Sequence, residues 1–205
     1  MLIQVFGENI SILQYNGNVL GTESLKTKVE NLFNSEDSDF GKLESTVGIA
    51  HDILPDILDF KNEEVGRWIL NNMIVAANEI FSGKNVESVG FYKTWANKIY
   101  RNHSKVTAHR HQILTNPLQY EMVGVFYYEA PERSADLVIV KEHDNISNSV
   151  SNTWESYSRD NRLHIRPTAG MLICHSSTTL HTVGTHDNDL PRTCFVFETK
   201  LNYKP

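Results

Sequence analysis

Cysteine is scarce in this chain. Cys174 and Cys194 are the two found in 205 residues, each inside an apolar run, whereas a secreted scaffold of this size that relied on bridges would carry more. Both read as reduced core thiols, which predicts a cytoplasmic location. Long apolar stretches are also missing. No run of about 18 apolar residues occurs, so a membrane-spanning helix is not expected. The opening MLIQVFGENISILQYNG interrupts its apolar residues with acidic and polar ones where a signal peptide needs them continuous. A surplus of basic charge is the third absence. Lys and Arg number 19 against 25 Asp and Glu, a net charge of -6, and this argues against a nucleic-acid surface, which needs Lys and Arg gathered on one face.

What is present points elsewhere. The length suits one domain with a sizeable core and is short for two, so residues 1–205 are expected to form a single domain. Residues 1–86 should supply strands and helices packed on a core formed by 87–205. The N-terminal part reads as strands over Leu2–Phe6 and Ile10–Tyr15, separated by a turn at Gly7-Glu8-Asn9. A helix is predicted over Glu23–Phe33, with Leu25, Val29, Leu32 and Phe33 on one face. A second is predicted from Asn62, as cap, to Gly83, with Val65, Ile69, Met73, Ala76, Ala77 and Ile80 recurring at three and four.

Beyond residue 86 the texture changes to short runs of Val, Ile, Phe, Tyr and Thr. Strands are predicted at Val89–Tyr100, Val106–Gln112, Met122–Glu129, Leu137–Lys141, Leu163–Arg166, Met171–His175, Leu180–Val183 and Thr193–Lys200. So many short strands between Gly, Pro, Asn and Asp turns indicate a β-sandwich or jelly roll. The polar stretch Glu142–Asn161 reads as a long loop suited to a lid.

Histidine is unevenly distributed: eight of the nine lie between His103 and His186. In the segment His109-Arg110-His111, read as extended, residues i and i+2 project from one face, so both imidazoles can reach one ion. His181, in another short strand, is the third candidate. Three imidazoles on one side of an ion leave positions for other ligands. A His-x-His in a strand is, by itself, more often a hydrogen-bonded surface pair. Arg192 shifts that balance, because a planar guanidinium beside a metal can grip a carboxylate through two parallel hydrogen bonds; the plainer role for it is a rim salt bridge. His175 is read as a strand or pocket histidine, and His51, His103, His143, His164 and His186 as solvated loop or strand-end residues.

The ordered set Thr94-Trp95-Ala96-Asn97, His109-Arg110-His111, Gly124-Val125-Phe126-Tyr127, Pro167-Thr168-Ala169-Gly170, His181 and Arg192-Thr193-Cys194 resembles the 2-oxoglutarate and Fe(II)-dependent oxygenase family. The match runs from about Thr94 to Phe197. It implies an α+β, mainly β fold, a double-stranded β-helix (jelly roll) with flanking N-terminal helices. It further implies iron held by His109, His111 and His181, and 2-oxoglutarate as cosubstrate with its distal carboxylate on Arg192. Tyr127 and Cys194 would stand beside that carboxylate, Tyr127 being equally well a core aromatic. Trp95 and Asn97 would line the pocket. The activity implied is hydroxylation of a small molecule or protein side chain, with release of succinate and carbon dioxide.

The chain departs from the family at several places. His111 stands where most of the wider superfamily has Asp, so a carboxylate such as Asp136 or Glu142 is the alternative third ligand. Cys194 replaces a Ser, Val123 another, and His175-Ser176 replace Phe-Pro. A cupin-like three-histidine metalloenzyme without 2-oxoglutarate, and a non-catalytic jelly-roll binding protein, stay open beside the oxygenase. Neither the substrate nor the oligomeric state is legible.

Overall fold

Residues that alternate between two buried faces dominate the centre of the molecule. The computed structural model describes residues 1–34, 45–46, 54–101, 108–111, 121–141 and 161–204. Its elements in chain order are β1 (Leu2–Val5), β2 (Glu8–Gln14), α1 (Glu23–Asn34), β3 (Ser45–Thr46), α2 (Leu54–Leu58), α3 (Glu64–Ile80), β4 (Val86–Ile99), β5 (Met122–Glu129), β6 (Leu137–Val140), β7 (Arg162–Ile165), β8 (Met171–Ser176), β9 (His181–Val183) and β10 (Arg192–Tyr203). They form a seven-stranded sheet of order β1-β2-β8-β5-β10-β4-β3 and a three-stranded sheet of order β7-β6-β9. Among the described residues every strand pairing is antiparallel.

Period-two geometry explains how one strand serves two cores. On β5, Met122, Phe126 and Tyr128 join a cluster with the helices, while Val123, Val125 and Tyr127 join a cluster between the sheets. On β10, Phe195 and Phe197 face the helices; Cys194 and Val196 face the small sheet, where Leu137, Ile139 and Ile165 meet them. Strands covered on both faces carry continuous apolar runs instead of alternating ones. The result is the predicted jelly roll, mainly β, with helices flanking its large sheet.

Helix α3 backs that sheet through Val65, Ile69, Met73, Ala76, Ala77 and Ile80, the residues singled out by the sequence periodicity, all buried. Gly66 permits its close approach to the chain leaving α2: a Cβ there would lie 2.3 Å from the Leu58 carbonyl oxygen. Among the described residues no helix is long and apolar enough to cross a membrane.

Several local expectations need correction. The first hairpin turns at Phe6-Gly7, with Val5 opposite Glu8. Both turn residues have positive φ, 53° and 83°, the backbone that matches the twist of a two-residue hairpin. Asn62 does not cap α3; its side chain donates to Asp59 at 2.8 Å, and Glu63 holds the cap position without a side-chain bond. Helix α2 carries too few residues to show a period and was not expected. Of the predicted strand Val106–Gln112 only 108–111 is described, and there His109 forms an isolated bridge rather than a strand. The predicted lid over Glu142–Asn161 lies outside the described residues except for Asn161.

Candidate metal centre

The backbone brings His109 and His181 face to face. His181 opens β9 and exchanges both main-chain hydrogen bonds with His109, at 2.9 and 3.0 Å. His111, two residues on, is tied by its amide to the Ser177 carbonyl at 3.1 Å. One donor nitrogen from each of His109, His111 and His181 lies within 4.8 Å of the others, so the residues named by spacing do converge.

The partners of the far ring nitrogens fix what the near ones can do. His181 Nδ1 lies 3.0 Å from the Thr179 carbonyl oxygen, an acceptor, so Nδ1 carries the proton and Nε2 of the neutral ring offers a lone pair. His111 Nδ1 lies 2.7 Å from the Glu198 carboxylate, an acceptor, so Nδ1 is likewise the donor and Nε2 is the nitrogen turned to the cluster. These two Nε2 atoms face each other at 3.2 Å. Two ring nitrogens at that distance need a proton or a metal cation between them, since two bare lone pairs would repel. Three imidazoles are a donor set suited to iron, copper, zinc or nickel, and second-sphere acceptors on the outer nitrogens are the usual device for aiming such ligands. The residues present therefore fit a transition-metal ion.

Burial disfavours the charged form of His181 and of its neighbour His175. His181 is held well below its ordinary value by desolvation, with His175, His111 and His109 adding repulsion. His175, fully buried, is pushed down to about 4, first by burial and further by its histidine neighbours against the opposing bond to Ser176. Its ring centroid is 4.6 Å from that of His181, and its Nε2 is buried with no hydrogen-bond partner among the described residues. His175 was expected to be a strand or pocket histidine; it stands buried on β8 and does not join the convergent set.

The lone pairs open on a pocket of about 140 Å³ between the sheets. Trp95, Asn97, Tyr127, Arg192 and Cys194 line it, with Val125, Leu137, Val183 and Val196 as apolar wall. Arg192 is not at a rim: it is 2 % exposed. Nη1 donates to the Ala135 carbonyl at 3.0 Å and Nη2 to Cys194 Sγ at 3.4 Å, while the guanidinium sits 5.2 Å over the Tyr127 ring. Its Nε is buried without a partner among the described residues. A guanidinium with an unused edge donor in an apolar pocket suits a carboxylate. Trp95, on the pocket wall, also packs against the His111 ring at 5.7 Å.

The alternative carboxylate Asp136 is occupied elsewhere, near His164 at 3.2 Å and Arg166 at 3.3 Å, and does not belong to the convergent set. Glu142, His51, His103 and His143 lie outside the described residues. His164 is exposed as expected, but His186 is not: it is fully buried. Its Nδ1 accepts the Ala135 amide at 3.4 Å and its Nε2 donates to the Leu190 carbonyl at 2.8 Å, which braces both segments that hold Arg192. Glu198 also went unnoticed. Its signal is readable, since Arg192, Cys194, Val196 and Glu198 share a parity on one strand and an acid continues an otherwise pocket-facing row.

No protein-family model matches the chain, and no curated protein matches it in sequence; solved structures do match it in shape. An oxidoreductase of the 2OG-Fe(II) oxygenase family from Burkholderia pseudomallei is 14% identical over 93% of this chain and 84% of its own, with a TM-score of 0.53. The fold is that of the 2-oxoglutarate/iron oxygenases. A Pseudomonas putida prolyl-4-hydroxylase is 10% identical over 94% of this chain and 92% of its own, TM-score 0.52. The epimerase SnoN, solved with Fe3+, alpha ketoglutarate and nogalamycin RO, is 12% identical over 96% of this chain and 81% of its own, TM-score 0.58. At these identities the likeness concerns the fold alone, and the neighbours' reactions differ among themselves.

Proposed function

We propose that this chain is a 2-oxoglutarate and Fe(II)-dependent oxygenase, with His109, His111 and His181 as metal ligands and Arg192 as the anchor of the cosubstrate's distal carboxylate. One observation carries the reading: nitrogens of His109, His111 and His181 converge within 4.8 Å of one another, on the wall of the pocket that holds the buried guanidinium. When bound, iron and 2-oxoglutarate supply the oxidative decarboxylation of the cosubstrate to succinate and carbon dioxide, coupled to oxidation of a substrate by molecular oxygen.

The chain's own residues prepare that chemistry. Thr179 and Glu198 hold the protons of His181 and His111 on the outer nitrogens, so no proton has to leave the metal-facing side. Arg192, braced by Ala135 and Cys194, orients the dicarboxylate, and Tyr127 beneath it spreads the positive charge over its ring face. Val125, Leu137, Val183 and Val196 keep the pocket dry, which strengthens the carboxylate–guanidinium pair. Hydroxylation is the outcome we favour, on a small molecule or a protein side chain, by a single-domain protein acting in the reducing cytoplasm that two buried free thiols suit.

The three-imidazole set also suits a cupin-like metalloenzyme that uses no 2-oxoglutarate, and Arg192 discriminates between them. Succinate formed from 2-oxoglutarate is measured with and without Fe(II), for the wild type and Arg192→Ala. Iron-dependent succinate lost in the variant, with iron still bound, is the expected result. Iron bound but no succinate from the wild type in any condition would favour the cupin-like enzyme. No iron bound at all would leave a non-catalytic jelly roll.

A further inference from the structure

Most metal centres of the resembled kind pair two histidines with a carboxylate, and here the third position is an imidazole. Three neutral ligands leave a divalent ion with its whole charge in a pocket walled by apolar residues, which is costly in a low-dielectric site. The structure nonetheless holds an anion close by. Glu198 is 6 % exposed, it sits on β10 between Lys93 of β4 and Val123 of β5 in register, and its carboxylate lies 2.7 Å from His111 Nδ1. The opposite nitrogen of the same ring, Nε2, faces His181 Nε2. A carboxylate, an imidazole and the convergent point of the cluster thus form one line.

A buried carboxylate needs a compensating positive charge. The His111 ring supplies a hydrogen bond on one nitrogen, and a divalent ion on its other nitrogen would supply the charge. On the reading that this cluster binds a metal, we infer that Glu198 is the anionic member of the centre, acting through His111. The carboxylate has moved outward by one residue layer. His111 and Glu198 together do what a single carboxylate ligand does elsewhere: they neutralise part of the ion's charge, and the hydrogen bond raises the basicity of the His111 nitrogen that faces the ion. Glu198 is a positioning residue, not a ligand. Asp136, the alternative ligand, is turned instead to His164 and Arg166.

The test uses the whole chain and metal alone. Dissociation constants for Co(II), and for Fe(II) without oxygen, are measured by competition with a coloured chelator for wild type, E198Q, H111A and H111A/E198Q, alongside the melting temperature of each metal-free protein. Gln keeps the shape and removes the charge. The expected loss in E198Q is about 10- to 100-fold in affinity for both ions. In the H111A background the same change should add less than about threefold, since Glu198 acts through the ring. An E198Q affinity within about threefold of wild type, with or without a lowered melting temperature, would reduce Glu198 to a structural hydrogen bond and overturn the inference. A large E198Q effect persisting without His111 would overturn it too, by making Glu198 a direct ligand.

A second measurement needs no folded variant. In wild type loaded with Zn(II), nitrogen NMR should find His111 Nδ1 protonated and Nε2 metal-bound; metal on Nδ1 would contradict the inference. A wild type that binds none of these ions would overturn the metal reading itself. Wild-type binding with an unmoved E198Q overturns this inference alone.

Discussion

Replacing Arg192 by Met tests the carboxylate site with the least change of shape. The guanidinium is buried, spends one donor on Ala135 and one on Cys194, and keeps Nε and further N–H groups for a ligand. Two charge-assisted hydrogen bonds are worth ~1.5–3 kcal/mol each, and truncating one member of a buried charge pair costs ~2–5 kcal/mol in all. At ~1.4 kcal/mol per tenfold, 2-oxoglutarate should bind R192M at least about 30-fold more weakly. R192K keeps a charge but loses the planar fork, so a loss of roughly tenfold is expected. Metal affinity should stay within about threefold, because the guanidinium's contacts run to Ala135, Cys194 and Tyr127. Calorimetric titration of 2-oxoglutarate into protein loaded with Ni(II), beside a chelator assay of metal affinity, reads both quantities. Undiminished 2-oxoglutarate binding by R192M would refute the role given to Arg192.

Three further predictions concern the scaffold. In the metal-free protein His175 has its pKa near 4 against an ordinary 6.5, so between those values the unfolded chain binds more protons than the folded one. Stability should be full above about pH 6.5 and fall by about 3 kcal/mol toward pH 4, with His181 shifted in the same direction; urea midpoints that stay level from pH 7 to 4.5 would contradict this. His186→Ala should lower stability by about 2–4 kcal/mol by stranding the Ala135 amide and the Leu190 carbonyl, and should weaken 2-oxoglutarate binding more than metal binding; an unchanged melting curve counts against the brace. Gly66→Ala should cost about 1–3 kcal/mol, since its Cβ meets backbone that cannot yield as a side chain would, and a melting temperature equal to wild type would show that α3 can shift freely.

Strand identity was legible where the chain is covered on both faces. Met122–Glu129 and Met171–His175 are uninterrupted apolar runs bounded by polar turns, and β5 matches its prediction residue for residue. The three histidines and Arg192 were legible as candidates because their types are unusual in segments that read as strands. The second layer was not. Glu198 and His186 make contacts that join residues 87 and 51 positions apart; strand parity marks Glu198 as inward but not what it meets, and nothing local marks a loop histidine as buried. The hairpin at Phe6-Gly7 was missed for a related reason: the pairing of Val5 with Glu8 forces Phe6 into a left-handed backbone that its side chain would not choose alone.

Anaerobic titration of metal-free protein with Fe(II) and then 2-oxoglutarate tests the central claim most directly. The account predicts one equivalent of Fe(II), followed by a visible charge-transfer absorption that saturates at one equivalent of 2-oxoglutarate and is lost in H181A. Iron demonstrably bound, with no such absorption at saturating 2-oxoglutarate, would contradict it.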